Sequence, residues 1–192
     1  MNILLYGATG LLGQRILSDA VEHGHTVTAA STDPARVQEL PGVTLAQADV
    51  LDADAVAKLA ESHDAIVSAV GSGHADDPCF PCAVARSLIE AAQRTGARLI
   101  VVGTDAEVAQ SVQPATTLDF AETWNGAAQA EADALAVYRS APEGVCWTYL
   151  APSAPIVLGP RAGQISAETV ASAVLRELEA PAHPRQDVTI TA

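Results

Sequence analysis

Three glycines, Gly7, Gly10 and Gly13, recur at every third position in Y-G-A-T-G-L-L-G-Q, directly behind the apolar run Ile3-Leu4-Leu5-Tyr6. The run has the residue types of a buried strand. Residues 11–22, after the glycines, carry apolar side chains at helical spacing. A strand that turns over glycines straight into a helix is the opening of a βαβ unit, and each glycine then has a task. Gly7 makes the tight turn, Gly10 lets the backbone approach a pyrophosphate, and Gly13 lets helix and strand pack closely. With Thr9, Leu11 and Leu12 they form the expected cradle, in which phosphate sits on the helix N-terminus because its N–H groups and dipole favour an anion.

The rest of the chain repeats the pattern. Strand-like runs at 2–6, 26–30, 43–47, 65–70, 98–102 and 145–150 alternate with helical patterns at 11–22, 34–40, 52–61, 81–95, 120–139 and 167–179. D-A-I-V-S-A-V and R-L-I-V-V-G are continuously apolar, as strands covered on both faces are in a parallel sheet. The prediction is an α/β fold: a doubly wound parallel sheet in three αβα layers, built from right-handed crossovers. The 192 residues are expected to form one domain. Residues 151–192 supply a short substrate-side region, a last helix and the edge strand Q-D-V-T-I-T-A. Ligands of such sheets bind beyond the carboxyl ends of the strands. Loops 7–13, 31–36, 71–80 and 103–118, with the segment 151–165, therefore face the expected ligand.

Composition narrows the class of partner. Apolar residues make up 49% of the chain, enough for a sizeable core, and the net charge is −13. A surface that acidic repels phosphate backbones and anionic membranes, so neither nucleic acid nor membrane is an expected partner. No apolar run approaches the roughly 20 residues of a membrane span. The first strand starts at Asn2 and leaves no room for a signal peptide, which predicts a cytoplasmic protein. Three cysteines are too few for a disulfide framework.

These segments resemble the atypical, or extended, short-chain dehydrogenases. The glycine loop is similar to their G-A-T-G-x-x-G. H-G-H-T-V-T-A-A-S-T-D-P-A-R-V (23–37) is similar to the second strand and loop of the NmrA-like branch. Q-A-D-V-L-D-A-D-A-V (47–56) resembles its third strand with the adenine-side aspartate, here Asp49. W-T-Y-L-A-P-S-A-P-I-V-L-G-P-R-A-G (147–163) resembles its sixth strand and following turn. The likeness spans nearly the whole chain and is greatest to small NAD(P)H-binding proteins grouped with flavin and biliverdin reductases. It implies a Rossmann-type fold. Asp49 and Val50 would flank adenine, Ala69, Val70 and Gly71 would border the ribose and nicotinamide, and Gly103, after the fifth strand, would be a further cofactor-binding residue. Where the family carries an arginine for the 2′-phosphate of NADP, this chain has Thr32. Ser31, Thr32 and Arg36 remain as candidate phosphate donors. Asp33 reads either as the acid that binds a ribose 2′-OH in an NAD site or as the N-cap of a helix opened by Pro34. NADP is the expected cofactor, with NAD also possible.

The usual chemistry of such enzymes needs Tyr-x-x-x-Lys, in which the lysine lowers the tyrosine pKa and the tyrosine protonates a carbonyl oxygen. This chain has one lysine, Lys58, and none of Tyr6, Tyr138 and Tyr149 has a lysine four residues on. Hydride transfer to a flat, electron-poor ring can do without that donor. Trp124 would supply a stacking wall, and Asn125, Thr104 or Ser153 a hydrogen bond to a ring carbonyl. Each also has an ordinary reading, as a core residue for Trp124 and a turn residue for Ser153. The family's insert after G-x-R-x-G is missing, so the substrate pocket should be open or be completed by another subunit or protein partner.

Cys79 and Cys82 form C-x-x-C beside a helix start, a setting that lowers a thiol pKa. With His74 they would also make a partial metal set, but no second ligand pair lies nearby, so no metal site is expected. Cys146 reads as inert packing, and His23, His25, His63 and His183 carry no assigned role. The first functional expectation is an NAD(P)H-dependent reductase of a flavin- or quinone-type small molecule. The other two are a non-catalytic NAD(P) redox sensor of the NmrA kind and a cyclase or isomerase that keeps the fold.

Overall fold

The computed structural model describes residues 1–71, 77, 79–103, 118–159 and 163–191, and of residues 118–128 the helical backbone alone. Its strands are β1 (Asn2–Tyr6), β2 (Thr26–Ser31), β3 (Val43–Gln47), β4 (Ala65–Ser68), β5 (Arg98–Val102), β6 (Trp147–Pro152), β7 (Ile156–Val157), β8 (Ile165–Ser166) and β9 (Gln186–Ile190). Its helices are α1 (Leu11–Glu22), α2 (Ala53–Ala60), α3 (Phe80–Thr95), α4 (Leu118–Arg139) and α5 (Ala167–Glu179). The central sheet is parallel throughout, in the order β3-β2-β1-β4-β5-β6-β9, and β7 pairs with β8 beside it. The predicted Rossmann-type α/β architecture is the observed one, with the order reversing between β1 and β4.

Side-chain alternation divides the core in two. Ile3, Leu5, Val67, Ile100 and Val102 pack against Ile16 and Leu17 of α1 and Val170 and Val174 of α5. Leu4, Tyr6, Ile66, Leu99 and Val101 pack on the other face against Val56 of α2, Leu88 of α3 and Tyr138 of α4. Each such aliphatic side chain contributes about 1.5–3 kcal/mol on burial. The sheet is covered on both faces, which is why its strands read as apolar runs and not as alternating ones.

Three expectations shift. The helix expected at 34–40 is one 3-10 turn, Pro34–Arg36. Val37 leaves it with extended backbone, its side chain 5% exposed in the core, and Pro41 disfavours helix at the residue before it. Asp33 makes no side-chain cap; its N–H donates to Ser31 Oγ at 3.1 Å. β4 stops at Ser68, because β1 turns away at Gly7 and Ala69 makes the last bond to it, N–H to Tyr6 carbonyl at 3.0 Å. β6 runs two residues later than expected. Val145 is bonded back to Pro142 in a turn, at 3.0 Å, while pairing with β9 carries the strand on to Pro152. Cys146 therefore precedes the strand and is half-buried.

Candidate functional site

A cleft of about 270 Å³ opens over the carboxyl ends of β1, β2 and β3, near the lower end of the range for small-molecule sites. Tyr6, Gly7 and Thr9 form one part of its lining, Ala30, Ser31 and Thr32 a second, Ala48 to Leu51 a third, and Val70 with Phe80 a fourth. Four local features suit it to a dinucleotide.

Gly7 has φ +89°, a conformation that side chains disfavour, and a Cβ there would overlap the Ala69 carbonyl. A Cβ on Gly13 would overlap the Gly7 carbonyl oxygen, so helix and loop touch through backbone alone. Gly10 is different. A Cβ there would meet only Gly7 O, at 3.5 Å, so nothing among the described residues demands glycine. The space beside it is what an approaching phosphate would use. Gly10 also provides no side-chain cap to α1, and the first turn of α1 holds no acidic residue, which leaves its N–H groups for an anion.

The second feature is Tyr6. Its hydroxyl is buried at the cleft and makes no hydrogen bond among the described residues. Burial pushes the phenol above its ordinary pKa, and the charges of Asp49 and Asp52 push it further, so it is a neutral O–H donor. The third is the pair Ser31 and Thr32: Ser31 Oγ accepts from Asp33 N–H and keeps its own proton to donate. The fourth is Asp49, whose Oδ1 accepts from Leu51 N–H at 2.9 Å and fixes the loop beyond β3. Together these residues could hold an NAD(P)H molecule.

The structure thus brings Gly7, Thr9, Ser31, Thr32, Asp49, Val50 and Val70 to one cleft, with Gly10, Leu11, Leu12 and Gly13 at its edge. Ala69 packs under Gly7. Gly71 and Gly103 line a neighbouring cavity of about 20 Å³ instead. Arg36 is exposed and lies outside the lining of the cleft. Ser153 is half-buried just past β6, its N–H bonded to Ile190 carbonyl at 2.8 Å. The backbones of Trp124 and Asn125 lie in α4, but their side chains fall outside the described residues, as do Thr104 and His74.

Sequence reasoning missed Tyr6, Leu51 and Phe80. Their signal was position: the last residue of β1, the loop beyond β3, and the first residue of α3. It also missed Glu131, which is 8% exposed and accepts from Tyr149 Oη at 3.1 Å. Gly103 makes room for that tyrosine ring, which a Cβ would overlap. Cys79 is exposed, while burial, then Asp133, push the Cys82 thiol up, with Arg86 opposing.

The comparisons with known proteins agree with this geometry. A family model described as NAD(P)H-binding matches residues 7–181, and the chain belongs to that family. It is 28% identical to the YwnB protein of Bacillus subtilis over 216 aligned positions, covering 100% of this chain and 99% of YwnB. A candidate exported protein of Burkholderia pseudomallei is 30% identical, with TM-score 0.80 and 98% of each chain covered. A candidate NADH-flavin reductase of Streptococcus pneumoniae is 23% identical, with TM-score 0.78 and again 98% of each chain covered. Among the described residues no helix is long and apolar enough to cross a membrane.

Proposed function

We propose that this protein is an NAD(P)H-dependent reductase that passes hydride to a flat conjugated acceptor of flavin or quinone type. We further propose that it works as one cytoplasmic dinucleotide-binding domain and prefers NADPH. The observation that carries the reading is the backbone cradle at Gly7, Gly10 and Gly13 opening on a cleft that holds no tyrosine–lysine pair. Lys58, the chain's one lysine, sits in α2, and Tyr138 and Tyr149 are buried in the core. The likeness to a candidate NADH-flavin reductase supports the acceptor class.

Bound NAD(P)H would supply the hydride. The residues of the chain would bind and orient. The first turn of α1 would hold the pyrophosphate, and Ser31 and Thr32 would donate to a 2′-phosphate, with Arg36 adding charge. Tyr6 would donate to a ligand oxygen. Val70 and Phe80 would keep water from the apolar wall. Trp124 would stack on the acceptor, and Asn125, Thr104 or Ser153 would bond a ring carbonyl. Positioning of two stacked rings can supply much of the acceleration such a transfer needs. The test is oxidation of NADPH in the presence of FMN or a quinone, followed at the nicotinamide absorbance. Turnover with NADPH ahead of NADH is expected; no turnover across a panel of flavins and quinones sinks the reading.

A second reading is a redox sensor without catalysis, favoured by the missing Tyr/Lys pair and the short segment between β7 and α5. Calorimetry with NADP and NADPH separates the two. A sensor prefers one redox form, and equal affinity counts against it.

A further inference from the structure

At the end of the sheet away from the glycine loop, α1 gives way to the turn His23-Gly24-His25, which packs against Glu179, the last residue of α5. His23 Nδ1 lies 2.9 Å, and His25 Nε2 3.2 Å, from the same carboxylate oxygen, Glu179 Oε1. The three candidate ligand atoms all fall within 4.8 Å of one another. We propose that His23, His25 and Glu179 form a site for a divalent first-row ion such as Zn²⁺, which staples the α1–β2 turn to α5 far from the dinucleotide cleft.

The donor set is the first argument. Two imidazoles and a carboxylate suit a borderline ion such as zinc, which binds nitrogen and oxygen at about 2.0–2.2 Å in a tetrahedron. Ligand atoms of such a tetrahedron stand roughly 3.3 Å apart, close to the separations of 2.9 and 3.2 Å from Glu179 Oε1. The second argument is preorganisation by backbone. Gly24 takes φ +79°, Gly24 N–H donates to Val21 carbonyl at 2.9 Å, and His25 N–H donates to Ala20 carbonyl at 3.0 Å. This left-handed closure of α1 sets the two rings on either side of the carboxylate, tilted by 38° with centroids 6.4 Å apart. His25 Nδ1 faces the Met1 main-chain nitrogen at 3.4 Å, so Nε2 is the atom turned to the cluster.

Exposure provides the third argument. The His25 side chain is 9% exposed and held, whereas those of His23 and Glu179 are 50% and 43% exposed. The fixed ligand anchors the ion, the freer ones can close on it, and solvent reaches the fourth position. Because the ligands come from two distant segments, an ion bound to the folded chain alone raises stability by mass action.

The experiment uses tag-free full-length protein freed of metal with EDTA, titrated with zinc chloride in a calorimeter and melted with and without zinc. One ion per chain and a raised Tm are expected. His23→Ala and Glu179→Gln, both at exposed positions that folding tolerates, should each weaken zinc binding at least as much as loss of a supporting partner does, about 10–100-fold. Cys79→Ser with Cys82→Ser should bind zinc as the parent does. The proposal falls if zinc does not bind saturably, if His23→Ala and Glu179→Gln bind it unchanged, or if the double cysteine variant loses it.

Discussion

At the carboxyl ends of β1 and β2 polar groups wait for a partner, whereas at the amino ends of β5 and β6 a buried ion pair is bonded from several sides, with only Arg98 Nε and Trp147 Nε1 left over among the described residues. Among the described residues the Tyr6 hydroxyl and the first-turn N–H groups of α1 have no side-chain partner. At the other end Glu177, 4% exposed, is paired with the Arg98 guanidinium. It also accepts from His183 Nδ1 at 2.9 Å and from His183 main-chain N–H at 3.0 Å. Arg98 Nη1 donates to the Glu177 carbonyl at 2.6 Å, and Thr148 Oγ1 donates to His183 carbonyl at 2.9 Å. A buried charge without partners costs several kcal/mol, so Arg98 and Glu177 each depend on the presence of the other. One end of the sheet is built to bind and the other to stay shut.

Breaking the closed end should have the largest effect. Glu177→Ala leaves Arg98 without its carboxylate and is expected to cost about 3–5 kcal/mol, a fall in Tm of roughly 10 °C. Thermal melts check this, and dinucleotide affinity of the folded fraction should be unchanged. A melt within a degree of the parent's would mean that solvent already satisfies the cluster.

Breaking the open end should reverse that pattern. In Gly13→Ala the new methyl overlaps the Gly7 carbonyl, so the loop must move. Overpacking of this kind costs about 1–3 kcal/mol of stability. The displaced cradle should lose about 100-fold in NADPH affinity, by analogy with the cost of a misplacement of about an ångström. Calorimetry and a melt on the same sample separate the two losses.

How far each end was legible follows from what makes it. The open end is backbone, and glycine records backbone demands in the sequence directly: Gly7, Gly10 and Gly13 stand where they were expected, as do β1 and α1. The closed end is long-range side-chain pairing. Arg98 and Glu177 are 79 positions apart, and nothing local marks Glu177 as buried in an otherwise amphipathic helix. Glu131 was invisible for the same reason, since only the fold brings Tyr149 to it. The failed helix at 34–40 shows a third limit, because the core's claim on Val37 outweighed the Asp-Pro start signal.

Acid should also tell the ends apart, with a smaller effect. Burial pushes the Glu177 carboxyl up, but the His183 hydrogen bonds and the Arg98 charge outweigh it and hold the carboxyl below the ordinary glutamate value. The hydrogen bond from His23 does the same for Glu179; burial opposes it, and the hydrogen bond from His25 adds to it. A depressed folded-state pKa gives stability that is present above the unfolded value, about 4.3, and lost as pH falls through the folded one. Melts from pH 7 down to about 3 should therefore hold level and then drop below the ordinary glutamate range. In Glu177→Gln, which starts lower, the drop should be shallower. An equally steep fall in that variant would remove Glu177 from the acid response.

The finest test lies within the open end, at the two hydroxyls beside β2. Thr32 is exposed and Ser31 half-buried, and Ser31 Oγ already accepts from Asp33 N–H. If both donate to a 2′-phosphate, Ser31→Ala and Thr32→Ala should each cost about 0.5–1.5 kcal/mol, roughly two- to tenfold in Kd. The loss should appear with NADPH and not with NADH, which lacks that phosphate. Ser31→Ala also removes the acceptor for Asp33 N–H, so a general loosening of the loop would weaken both cofactors alike. Equal losses for NADPH and NADH would assign Ser31 to the loop and not to the ligand. Thr32→Ala breaks no side-chain bond to the described residues and is the cleaner variant of the two. A Thr32→Ala chain with unchanged NADPH affinity would leave Ser31 and Arg36 as the remaining donors. Arg36→Gln should then reduce the preference for NADPH over NADH.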